Sequence, residues 1–165
     1  MNIKILNRWT LQVIFECEAD SMKAAVELAC KQGVSLRDSD LSDSDLSGSD
    51  LRGSDLSGVP KIPNIHQSIY AAASQPHALD MSTWHGESAC GTTHCRAGWV
   101  VALAGDGGKA LEWAMGTPTA ATLIYLASDP DRWKNERLPD FYCENGVALA
   151  DMKRMADEES AAATA

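Results

Sequence analysis

With 165 residues, 45% of them apolar, the chain has the length for one compact domain or two small ones. Its 23 Asp and Glu against 14 Lys and Arg leave a formal charge of −9, which argues against direct contact with nucleic acid or an anionic membrane and favours a basic partner. No apolar run reaches the roughly 18 residues of a membrane span, the first residues lack a signal peptide's apolar core and cleavage site, and an odd number of cysteines fits a reducing, cytoplasmic setting.

Ile3 to Leu6 and Gln12 to Glu16 read as two short strands, with Asn7-Arg8-Trp9-Thr10 as the turn between them. Ser21 is placed to cap a helix running to Lys31, with Gly33 just past its end and Ala25, Leu28 and Ala29 on its apolar stripe. Residues 1–33 therefore predict a ββα cap that covers the open end of the segment beyond Gly33.

Residues 34–58 are five pentads: VSLRD, SDLSD, SDLSG, SDLRG and SDLSG. Leu36, Leu41, Leu46, Leu51 and Leu56 stand in strict register. A period of five suits neither a helix nor a strand, but it suits a solenoid that turns one corner per repeat. Leu and the small Ser39, Ser44, Ser49 and Ser54 then point inward, and Asp40, Asp45, Asp50 and Asp55 face water. Without the register, the same composition would read as a flexible acidic linker.

The pattern of a small residue, Asp, Leu and two variable positions resembles the pentapeptide-repeat family. That resemblance implies a right-handed, four-sided β-helix with four pentads per coil. Five pentads make little more than one coil, and Pro60 and Pro63 close the run. Short ββα openings with a Trp at the turn are similar to those at the front of other members. The expected fold class is thus α+β: an N-terminal ββα cap, a short right-handed quadrilateral β-helix and a small C-terminal helical bundle.

Beyond Pro63 the pattern turns helical. Asn64 to Ser74, Thr93 to Ala104, Lys109 to Met115, a helix opened by Thr117-Pro118, and a last one capped by Asn145 predict a bundle over residues 64–158. An Ala-rich disordered tail is expected over 159–165.

Trp84 to Trp99 is the stretch richest in chemistry. His85, Cys90, His94 and Cys95 have the softness of zinc ligands, but adjacent His94-Cys95 fits the usual ligand spacing poorly. A Cys–His nucleophile pair with Thr93 at a helix start is a second reading, although no third group is evident. The plainest reading is a tight loop packing small residues under Trp84 and Trp99, with His66 and His77 as surface or packing histidines. No cofactor motif appears. The CGT-x-x-C run followed by a small residue, Gly and Trp is similar to uncharacterised phage and prophage proteins.

Three functions are compatible with these features. The first is a non-enzymatic acidic inhibitor that mimics DNA and binds a basic nucleic-acid-binding complex. Some members of the resembled family bind topoisomerases in this way, and the phage likeness suggests an anti-CRISPR version. Asp38, Asp40, Asp43, Asp45, Asp50 and Asp55 are the partner-binding candidates. Because the coil's aspartates fall on different faces, such a decoy needs carboxylates from the helical half too. The second is an interaction or scaffold module with the repeat as spacer. The third is a zinc- or cysteine-dependent protein centred on residues 85–95.

Overall fold

The computed structural model describes residues 1–7, 9–36, 39–41, 56–88 and 91–164. Strands β1 (Asn2–Leu6) and β2 (Val13–Glu18) pair antiparallel, Asn2 opposite Glu18 and Leu6 opposite Val13. Asn7 tightens the turn: its Oδ1 accepts from the Trp9 and Thr10 amides at 2.9 Å each. Helix α1 (Met22–Lys31) starts where Ser21 Oγ accepts from the Ala24 amide at 3.2 Å, and Gly33 ends it at φ +71°. Ala25, Val26, Ala29 and Cys30 bury its inner face.

The structure overturns the expectation of a right-handed quadrilateral β-helix. The sheets among the described residues are two antiparallel hairpins, with no closed or solenoid sheet. Asp40 donates its amide to the Leu6 carbonyl at 2.7 Å, and Ser39 bridges antiparallel to Asn7, so this first part of the repeat leans on the end of β1. A solenoid ladder needs neighbouring coils for its backbone bonds, and five pentads supply scarcely more than one coil. The observed class is mixed helices with two small antiparallel sheets.

The remaining elements are α2 (Ile65–Ala73), the hairpin β3 (His85–Ser88) and β4 (Gly91–His94), α3 (Arg96–Leu103), α4 (Gly105–Met115), α5 (Thr117–Ser128), a 3-10 turn (Arg132–Lys134) and α6 (Asn145–Ala163). α2 packs on α6, and α3 on α4 and α5. Three boundaries differ from the sequence expectation. Residues 91–94 form β4 rather than the start of a helix, and Cys95 caps α3 instead of Thr93, its Sγ accepting from the Gly98 amide at 3.3 Å. α4 begins at Gly105, not Lys109. α6 continues to Ala163, so residues 159–163 are helical rather than a disordered tail. Alanine's helix preference carries it, and Glu159 ties it down by accepting from the Gln67 amide at 2.8 Å.

One apolar core joins these parts. Ile5 from β1, Val26 from α1, Leu36 and Leu41 from the pentads, and Ile65, Val100, Ile124 and Met152 from the helices belong to the same buried cluster. Tyr125 is its largest aromatic member after Trp133, which lies 5.6 Å away between ring centres; His66 at 5.8 Å and Phe141 at 6.3 Å flank it further.

Candidate interaction surface and histidine cluster

The pentad side chains within the described residues sort as their register demands. Leu36 and Leu41 are buried, and Leu56 packs against the core. Ser39 is fully buried, its hydroxyl donating to the Leu36 carbonyl at 2.6 Å. Asp40 is exposed. Asp38, Asp43, Asp45, Asp50 and Asp55 lie outside the described residues. Thr119 on α5 donates to the Leu41 carbonyl at 3.2 Å, which fixes the repeat's start against the helical half.

A second acidic surface was not singled out by the sequence. The end of α5, the 3-10 turn and the last turns of α6 enclose a cleft of about 780 Å³. Five carboxylates line it, Asp129, Asp131, Glu136, Glu158 and Glu159, against one guanidinium, Arg132. Arg132 reaches Asp129 at 3.2 Å and both Glu136 and Glu158 at 2.8 Å. Arg154 approaches from the side, 2.5 Å from Glu136 and 3.0 Å from Glu158. Arg132 and Arg154 hold the Glu158 carboxyl below the ordinary range, and Lys134 does the same for Asp131. With five acidic side chains against one lining guanidinium, the cleft carries an excess of acidic groups. These acids escaped the sequence reading because Asp129-Pro130-Asp131 and Asp157-Glu158-Glu159 look like ordinary solvated flanks until the fold brings them together.

The metal and nucleophile candidates divide. β3 and β4 set His85 directly opposite His94. Their Nδ1 atoms are 2.8 Å apart, and His85 Nε2 lies 2.6 Å from Glu112 Oε1, which also accepts from Thr117 Oγ1 at 2.6 Å. Segment 78–80 holds the hairpin in place: His94 donates its amide to the Ala78 carbonyl, and Asp80 donates to the His94 carbonyl, each at 3.1 Å. Burial, and then the neighbouring His85, push the His94 imidazolium below its usual pKa. Trp99 packs edge-on against His94 at 4.6 Å between ring centres. Cys95 points elsewhere, fully buried at the start of α3, and burial pushes its thiol up to about 11. It is a capping group, not an activated nucleophile. Cys90 lies outside the described residues. Among the described residues no group of three or more His, Cys, Asp or Glu side chains is placed to hold a metal ion. Glu112 and Thr117 were missed because they are distant in sequence and belong to no motif.

Arg96 was missed as well. Its side chain is buried, with Nε donating to Tyr125 Oη at 3.0 Å and a terminal nitrogen to Asp151 at 2.5 Å. Burial works against the charged form, but Tyr125 and Asp151 outweigh it, so the guanidinium stays ionised. It joins α3 to α5 and α6. A further surface feature is apolar: Trp9 in the first turn and Trp113 on α4 are 59% and 69% exposed, yet their rings meet at 5.8 Å.

Residues 32–59 match the family model described as Pentapeptide repeats (8 copies). That class consists in general of structural and interaction modules rather than enzymes, so a protein-interaction segment is what the match supports here. No curated protein and no solved structure matches the chain. No described helix is long and apolar enough to cross a membrane.

Proposed function

We propose that this chain is an acidic, non-enzymatic interaction protein that occupies the phosphate-binding surface of a nucleic-acid-binding partner. The observation that carries this is the cleft of five carboxylates around Arg132. It supplies a fixed group of anionic side chains outside the acidic repeat. Proteins that grip a duplex present Lys and Arg to about one phosphate charge per 1.7 Å. Carboxylates already positioned by ion pairs with Arg132, Arg154 and Lys134 compete for the same groups with little ordering cost. Asp38, Asp40, Asp43, Asp45, Asp50 and Asp55 would extend the acidic surface. An interference complex or a topoisomerase is the kind of target intended, and a phage-encoded counter-defence role is the biological form of the proposal.

The test is affinity capture from a host extract with wild type and two charge variants. One variant neutralises Asp131, Glu136 and Glu159; the other neutralises Asp157 and Glu144, which lie outside the cleft. The proposal expects capture of a nucleic-acid-binding protein that fades with the first variant and persists with the second. Equal effects from both would mean that bulk charge, not this surface, is at work.

The exposed Trp9–Trp113 pair favours a second reading, an apolar interaction module. Binding of that kind would resist salt and be lost in Trp113→Ala.

A further inference from the structure

The contact between His85 and His94 is unusual in its directions. Each ring turns its Nδ1 toward the other, 2.8 Å apart, with ring planes at 80°. Behind His85, Glu112 accepts from Nε2 at 2.6 Å and is itself held by Thr117. A carboxylate backing one imidazole nitrogen fixes the tautomer and leaves the other nitrogen as a lone pair, which is the outer-shell arrangement of metal-binding histidines.

We propose that His85 and His94 bind one divalent first-row transition ion through their two Nδ1 atoms. Two imidazole nitrogens each about 2.0 Å from one ion, at right angles around it, stand about 2.8 Å apart. The observed separation is that of neighbouring positions in a square-planar or octahedral site, so nickel requires the two rings to turn their lone pairs toward one point but not to move apart. Tetrahedral zinc needs the pair to open by about half an ångström. The His85 side chain is 37% exposed, which leaves an entry route for the ion. No third His, Cys, Asp or Glu joins the pair among the described residues, so water completes the coordination. In the metal-free chain Glu112 accepts from His85, and His94 Nδ1 donates to His85 Nδ1. On binding, that His94 proton leaves Nδ1 and the ring is reprotonated at Nε2 from solvent, so the proton count does not change.

This proposal is independent of the acidic-surface reading, because it involves neither the cleft nor the pentads. The experiment is nickel titration by calorimetry, with native mass spectrometry for stoichiometry. The expected result is one ion per chain, with binding weakened at least tenfold in His85→Gln and in His94→Gln, and unchanged in His77→Ala. Glu112→Gln should weaken it roughly 10- to 100-fold. Should the histidine variants fail to fold, wild-type protein still decides: nickel should protect His85 and His94, but not His77, from diethyl pyrocarbonate, read by peptide mass. Absence of a one-to-one nickel complex, binding indifferent to both histidine changes, or no selective protection would overturn the proposal and leave the pair as a plain hydrogen bond.

Discussion

Gly98 shows how a single atom sets the geometry of the histidine hairpin. A Cβ there would lie 1.9 Å from the Trp84 carbonyl oxygen and 3.1 Å from His94 Cβ. Gly98→Ala must therefore push the hairpin off α3, at a cost of about 3 kcal/mol or more in a denaturant titration. Asp151→Ala strands the buried Arg96 charge, for an expected loss of about 3–5 kcal/mol in the same measurement. His66 shares the acid-side pH dependence with His94, whose pKa is also lowered. Burial lowers the His66 pKa, more than its bond to Asp129 at 3.0 Å restores it. A histidine depressed in the folded state contributes stability that is fully present above its unfolded pKa of about 6.5 and is lost as pH falls through the folded value. The thermal midpoint should drop as pH is lowered below about 6.5, and His66→Gln should remove part of that decline, His94 supplying the rest. A midpoint insensitive to pH there in wild type would contradict the assignment.

At the scale of elements, local signals were legible and long-range ones were not. The first hairpin and α1 follow from the Asn7 turn, the Ser21 cap and Gly33, all local devices. Leu36, Leu41 and Ser39 point inward and Asp40 outward, as the five-residue register required. The step from that register to a β-helix failed because side-chain direction is local, whereas a solenoid ladder depends on coils this chain lacks. β3 and β4 were invisible because His-Gly-Glu-Ser and Gly-Thr-Thr-His carry no strand alternation; their pairing is fixed by contact with residues 78–80. α6 offers an element-scale test. Deleting residues 159–165 removes the Glu159 bond to Gln67 and the last helical turn. A loss of about 1.5–3 kcal/mol is expected, the worth of a hydrogen bond to a charged group. No change in stability would return these residues to the status of a tail.

For the whole molecule, the shared core decides how the parts can act. The pentads' first leucines, the N-terminal hairpin and the helices bury one another, so the described start of the repeat belongs to the same core as the two halves it joins. Charge sits on top of that rigid assembly. The acidic total was legible from composition, but the cleft at Arg132 was not, because its carboxylates come from two segments, 129–136 and 158–159, distant in sequence. Long-range attraction is screened within about 8 Å at physiological salt, so lasting occupation of a partner rests on close carboxylate pairs with Arg or Lys. The most direct test is competition: the chain is immobilised, a nucleic-acid-binding partner is captured, and duplex DNA is titrated in at constant ionic strength. Release of the partner in proportion to added duplex is the expected result. Formation of a ternary complex, with DNA and this chain on the partner together, would contradict the account.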